Sequence, residues 1–501
     1  MQFVQNFPFF SIILSMFSGI VSLVLKPRAA RWLHTIVMSV ILVLSLAVLV
    51  FTLQHGESYA YMMGHFPAPW GNEIRIGPFE ALMASFYALL MILCLLGGAK
   101  HVERDIKPSK QNFFFILMDL IMASFLALIY TNDMFTAYVF IEINTLAACG
   151  LILCSSEARC YVLALRYMIM SLVGSGLFLL GLSMLYSITG HLLMVPLKET
   201  ILALEHSGQY QGPLITVMIL MTVGLGIKSG LFPFHTWIPD AYGYSTPTSA
   251  AVLSSLVSKS YIILLIKIFY RVLDFNSPVS RHLYTIFIIF GVAGMIFGSV
   301  EAIMERNIRR MTAYSSVAQI GYIYMGLGLG TPAGIAVASF HILSHAVMKS
   351  MVFLSLPGLI EVSDGSPYVQ DLSGAGYRNR TAGIVFTIGA MSMTGIPLLT
   401  GFISKYLFAT SAATGGDLKM LVAWVALAVS TILNAMYFMR AVLRIYHVDE
   451  QDAAYALTPE GYVLSRQEAF GMVALAALTI VLGIVSTPVI QVIGSGLGLL
   501  G

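Results

Sequence analysis

Charge is scarce in this sequence: Asp, Glu, Lys and Arg together make up 10% of 501 residues. A soluble domain carries about 25%. With 58% hydrophobic residues and a mean hydropathy of +0.85, the chain must have the bilayer as its solvent. Cysteine is equally sparse. Cys94, Cys149, Cys154 and Cys160 lie in or beside apolar stretches, with no Cys-x-x-Cys pair and no histidine nearby, so they read as small core residues rather than metal ligands. No basic patch exists that would point to nucleic acid or an acidic partner. No redox-ligand motif is present, so no cofactor is expected and the chain is not expected to be catalytic alone. No dense cluster of oxygen ligands marks a sodium site. The first apolar stretch lacks a basic n-region and a small-residue cleavage site, so a retained helix is expected rather than a signal peptide.

What the chain does have is apolar runs long enough to cross about 30 Å of hydrocarbon. Fourteen recur, at 8–26, 33–54, 77–99, 112–131, 133–154, 160–186, 213–234, 246–272, 281–303, 308–329, 332–360, 380–411, 418–444 and 468–495. The fourth and fifth are joined by a very tight turn at Thr131-Asn132-Asp133. Lysine and arginine sort the connections into two alternating sets. Sixteen fall in the set that runs from Lys26, Arg28 and Arg31 to Arg440, Arg444 and Arg466, against five in the other: Arg75, Lys198, Arg271, Arg281 and Lys419. The richer set is expected to be cytoplasmic, and an even count places both termini on the opposite side. The segments 187–212 and 448–467 are polar enough to be interfacial helices.

Six basic residues fall inside predicted spans: Arg166, Lys228, Lys259, Lys267, Lys349 and Lys405. A charge at mid-membrane depth costs about 2.5–3.5 kcal/mol on insertion scales, which makes a dispensable one rare. Arg166 and Lys267 lie near span ends, where a long side chain can snorkel to the headgroups. The other four have no such escape. On the fifth span, Phe140-Ile141-Glu142-Ile143-Asn144 sets a carboxylate in an apolar segment with no basic neighbour within a turn, so Glu142 needs a partner from another helix.

The seventh span contains Gly224-Leu225-Gly226-Ile227-Lys228-Ser229-Gly230-Leu231-Phe232-Pro233-Phe234-His235. Pro233 removes a backbone hydrogen bond and the glycines loosen the helix, so a break is expected near Lys228. The twelfth span has a similar arrangement around Pro397, in Gly395-Ile396-Pro397-Leu398-Leu399-Thr400-Gly401 before Lys405. Two interrupted spans, one in each half and each with a buried lysine, point to inverted repeats with discontinuous helices. In the eleventh span His341, His345 and Lys349 recur every four residues and share one helical face. Imidazole both donates and accepts protons near neutral pH, which suits it to relay them in series with lysine. A zinc site at His341 and His345 competes, but no carboxylate lies on that face. A structural seam of hydrogen bonds between helices is the plainer alternative.

The run Lys228 to Ala241, followed by Thr246-Pro247-Thr248-Ser249-Ala250 and Lys259, resembles the central segment of the antiporter-like subunits of respiratory complex I and Mrp-type cation/proton antiporters. Glu142, the run Arg309 to Ser316 and the His341 to Lys349 stripe extend the resemblance to roughly residues 75–445. It implies an all-α membrane protein of about 14 transmembrane helices with two inverted five-helix repeats, each containing a broken helix. The corresponding parts are 1–110, a first repeat at 111–272, a second at 273–445 and a final helix in 446–501. The resemblance further implies Glu142 with Lys228 as the intake ion pair, Lys259 as the next carrier, His345 and Lys349 as the central relay, and Lys405 as the terminal carrier. His341, His235 and Lys267 form a second tier. Lysine rather than glutamate at 405 is similar to the D-type Mrp subunits and their relatives in membrane-bound hydrogenases or complex I. No long lateral helix follows the fourteenth span, which argues against the largest subunit of this kind.

The expected function is therefore proton translocation within a hetero-oligomeric membrane complex of the inner membrane, with protons as cargo and Na+ as the competing ion. A stand-alone transporter of an organic solute would instead show a midplane site of mixed polar groups. A passive scaffold would give no reason for buried titratable residues.

Overall fold

A computed structural model gives the fold and describes residues 3–66, 71–413, 418–448 and 464–500. Helices α1 (Phe7–Ser22) and α2 (Pro27–His55) lead to a hairpin of β1 (Tyr59–Met62) and β2 (Glu73–Ile76), paired antiparallel with Tyr59 opposite Ile76. Then come α3 (Pro78–Gly97), the short α4 (Ala99–Asp105), α5 (Pro108–Tyr130), α6 (Met134–Leu153), α7 (Arg159–Thr189) and α8 (Met194–Ser207). The middle of the chain holds α9 (Gln211–Ser229), α10 (Ile238–Tyr244), α11 (Pro247–Val252), α12 (Ser258–Arg271), α13 (Pro278–Met304), α14 (Ile308–Gly328) and α15 (Pro332–Glu361). The remainder is α16 (Ala375–Arg378), α17 (Arg380–Thr394), α18 (Thr400–Ala413), α19 (Leu418–Tyr446), α20 (Arg466–Ile484) and α21 (Ser486–Gly498).

Local chemistry sets these boundaries. Prolines occupy the first turn of α2, α3, α5, α13 and α15, where the missing N–H would have had no partner anyway. The side chains of Asp133, Thr246, Ser277, Asn307 and Thr331 each accept a backbone N–H at the start of α6, α11, α13, α14 and α15, satisfying a donor that the helix leaves unpaired. The tight turn at Thr131-Asn132-Asp133 is anchored from outside, because Asn132 donates to the Glu73 backbone oxygen at 2.9 Å and its side-chain amide to Glu73 Oε1 at 2.6 Å.

All fourteen predicted spans coincide with helix, and the regular helix is interrupted within 213–234, 246–272, 380–411 and 468–495. Among the described residues, twelve segments are long and apolar enough to cross a membrane, a set that lacks two of the fourteen. The span at 380–411 is missing from that set because its break leaves α17 and α18 with 15 and 14 residues. The other is α14, whose Arg309, Arg310, Ser315, Ser316 and Gln319 dilute its hydropathy. The final span divides into α20 and α21 at Val485, where Pro488 withholds a hydrogen bond from the preceding turn. Of the two segments expected to be interfacial helices, 187–212 contains the helix α8, and most of 448–467 lies outside the described residues.

Two classes of helix build the bundle. On α2, Ile36, Val43, Leu46 and Val50 are exposed, as are Leu165, Ile169 and Leu172 on α7 and Leu421, Val425 and Ile432 on α19. Apolar side chains pointing outward in rows are a surface made for lipid. By contrast the apolar stretches of 247–271 and of α15 are buried throughout. The chain is a multi-pass membrane protein, and Lys259, Lys267, His341, His345 and Lys349 lie on the second class.

Candidate functional site

Three local departures from regular helix position the buried lysines. The first is the break after α9. Gly230 there has φ +78°, a left-handed conformation that favours glycine. Its missing Cβ also makes room for the Ile238 side chain. Lys228, one residue inside the end of α9, has none of its surface exposed. Its Nζ donates to Thr145 Oγ1 at 2.7 Å, lies 3.7 Å from Glu142 Oε1 and sits 5.6 Å from the centre of the Tyr261 ring. Lys228 is thus the partner from another helix that the sequence setting of Glu142 demanded. At 3.7 Å the pair is an ion pair without a direct hydrogen bond, and Thr145 Oγ1 in turn lies 3.4 Å from Tyr261 Oη on α12.

The second departure is invisible to a search for glycine and proline. Between α11 and α12, residues Leu253–Val257 form a π-helical turn, a widening that frees backbone oxygens and recurs at functional sites. Lys259 folds back into it. Its Nζ donates to the Ser254 carbonyl oxygen and, at 3.0 Å, to Ser258 Oγ, and it is fully buried.

The third departure separates α17 from α18, where Gly395 has φ +92° and Leu398 φ +74°. Lys405 reaches back across this break, donating to the Met393 and Thr394 carbonyl oxygens at 2.8 and 3.2 Å. The neighbouring Ser404 Oγ meets His341 Nδ1 at 2.9 Å, and Thr400 Oγ1 meets Ser344 Oγ at 2.6 Å. The α15 stripe therefore lies against the second break. His341 and His345 are stacked with centroids 6.1 Å apart. Lys349 donates to the Thr312 carbonyl oxygen at 2.6 Å and to Ser315 Oγ, both on α14.

His341, placed in the second tier by sequence, is the group that adjoins Lys405. Neither nitrogen of the buried His345 ring has a hydrogen-bond partner among the described residues. No group of three or more His, Cys, Asp or Glu residues able to hold a metal occurs among the described residues. His235, just past the first break, pairs through Nε2 with Glu301 Oε2 on α13 at 3.0 Å.

Two sequence readings need correction. Lys267 does not snorkel: it is wholly buried and bonded to the end of α5. Arg271, counted among connection residues, is also buried and pairs with Glu80 at 2.5 Å. Arg166 does reach outward, its side chain 55% exposed and bonded to Asp240 at 2.9 Å. A further buried pair, His34 Nδ1 with Asp119 Oδ1 at 2.6 Å, went unseen, although Asp119 is a lone carboxylate in an apolar run and carried the same signal as Glu142.

Comparison with known proteins gives a consistent result. The sequence profile for "NADH:quinone oxidoreductase/Mrp antiporter, TM" matches residues 131–433. An N-type NADH-quinone oxidoreductase subunit of Desulforudis audaxviator is 35% identical, with 79% of this chain and 77% of the relative covered. A D-type Na(+)/H(+) antiporter subunit of Alkalihalophilus pseudofirmus is 29% identical, with 86% and 83% covered. Among solved structures, an archaeal membrane-bound sulfane sulfur reductase matches over 100% of this chain and 98% of its own, with a TM-score of 0.88 at 23% identity. The Mrp complex from Dietzia sp. matches over 99% and 97%, with a TM-score of 0.87 at 22% identity.

Proposed function

The chain belongs to the NADH:quinone oxidoreductase/Mrp antiporter membrane family, and from that premise we propose that it translocates protons as one subunit of a multisubunit ion-pumping complex. The observation that carries the reading is the unbroken burial of titratable groups at three irregular helix positions: Lys228 at the first break, Lys259 at the π-helical turn and Lys405 at the second break. Each ammonium is held by groups that let it gain or lose charge without leaving the protein interior.

In this mechanism Glu142 holds Lys228 in its charged form. Opposite charges about 4 Å apart at an effective dielectric near 20 attract by about 4 kcal/mol. A membrane potential supplies about 2.3 kcal/mol per charge per 100 mV, so the two energies are comparable. When the pair opens, Lys228 gives up its proton towards Lys259. The proton passes by His345 and Lys349 to His341, and thence to Lys405. Each transfer changes the charge facing the next group, so ion pairs open and close in turn. Sister membrane subunits are the partners, the membrane is the cell inner membrane, and both termini face away from the cytoplasm. Residues 111–272 and 273–445 act as the two repeats of this machine.

Reconstituted complex in sealed vesicles tests the assignment. Glu142→Gln and Lys228→Ala should each abolish ion transport while the complex still assembles. Normal transport in either variant would sink the assignment of the intake pair.

A further inference from the structure

The proposed relay leaves two buried cations of α12 unused. Lys259, Ile263, Lys267 and Arg271 are spaced by four residues and line one face of the helix, which points from the relay to the end of the bundle that carries the β-hairpin. Eight residues of helix, about 12 Å of rise, separate Lys259 from Lys267. Ile262, Ile263 and Ile266 fill that interval, all fully buried.

Lys267 is held by more backbone oxygens than any carrier lysine. An ammonium has three donors and no lone pair, and Lys267 commits all three, to the carbonyl oxygens of Leu128, Ile129 and Thr131 at 3.2, 2.5 and 2.6 Å. Those oxygens end α5, where a helix leaves carbonyls unpaired and its dipole favours positive charge. One turn further, Arg271 donates to Glu80 Oε1 and, at 3.3 Å, to the Leu500 carbonyl oxygen. A guanidinium keeps its proton in proteins.

We propose that Lys267 and Arg271 form a fixed cationic seal beneath Lys259, which stops protons from leaking along α12 to the hairpin end and so commits them to the lateral route through α15. Fixed positive charge excludes protons from other membrane pores in the same way. The seal reverses the sequence-based place of Lys267 as a second-tier carrier, and it rests on the proposed role of Lys259.

The test is passive proton flux in sealed vesicles containing the assembled complex. Lys267→Gln keeps hydrogen bonds to the α5 carbonyls but removes the charge, and should raise leak by about tenfold, the effect of about 1.4 kcal/mol of lost barrier. Adding Lys259→Ala should abolish that leak, which general damage to the bundle would not allow, and Lys267→Arg should stay tight. Arg271→Gln, which removes the second positive charge, carries the same expectation and serves if Lys267→Gln does not assemble. An assembled Lys267→Gln complex that stays tight overturns the seal, and lost transport without leak would make Lys267 a carrier. Should Lys259→Ala alone leave transport intact, the relay reading itself fails. If it stops transport while Lys267→Gln stays tight, only the seal fails.

Discussion

The two helix breaks hold their lysines by different means. At the first, Lys228 precedes the break and faces a carboxylate, Glu142, 3.7 Å away. At the second, Lys405 follows the break and donates to two carbonyl oxygens, with the Tyr322 ring at 5.5 Å. A counter-ion can be moved away and backbone oxygens cannot, so in the proposed relay the first site is the one that switches and the second the one that receives.

Removing charge should give the largest effects and tests the difference directly. Losing about 4 kcal/mol of ion-pair attraction corresponds to about three orders of magnitude, so Glu142→Gln should bring proton flux in vesicles to background. Lys405→Met should do the same, and a flux near normal would remove the second break from the path. Next comes the connection between the stripe and that break. Ser404→Ala cuts the hydrogen bond to His341 without touching a charge, and a loss of about 1.4 kcal/mol predicts roughly tenfold slower transport in a normally assembled complex.

Smaller effects distinguish the breaks structurally. Both Gly230→Ala and Gly395→Ala force a left-handed conformation that costs about 1–2 kcal/mol. At Gly230 the new methyl also collides with Ile238, whereas at Gly395 it meets the flexible Lys405 chain at 3.1 Å. Thermal unfolding in detergent should therefore show the first variant as the less stable, and transport should suffer disproportionately in the second.

The smallest effect lies outside the membrane and should leave the comparison untouched. Burial alone would raise the Asp105 carboxyl, but hydrogen bonds from His101 and Arg104 hold it below its ordinary value. A depressed carboxyl adds stability above the ordinary carboxylate range, and that stability is lost as pH falls through the folded value. Asp105→Asn should cost under about 1 kcal/mol near neutral pH and nothing in strong acid, with transport unaltered at both breaks.

Much of this was legible in the chain. Apolar runs, glycine and proline marked the spans and both breaks, because bilayer thickness and backbone sterics act on local sequence. The costly charges Glu142, Lys228, Lys259, Lys349 and Lys405 were found for the same reason. Other features had no local mark. The π-helical turn under Lys259 is written in serines and aliphatics that suit an ordinary helix. Glu301, near the end of α13, gave no sign of meeting His235. Distance from the span end misled for Lys267, since snorkelling assumes a lipid or water boundary beside the residue and packing had placed the end of α5 there.

Sequence by itself determined the solvent, the spans, the breaks and the residues whose burial demands an explanation, since the energy of a charge in hydrocarbon does not depend on which helix lies alongside. Only the tertiary structure decided which of those residues meet. It set Glu142 against Lys228, His341 against Ser404 next to Lys405, and Lys267 against the carbonyls of α5. Those pairings join residues far apart in the chain, which no local pattern of sequence encodes.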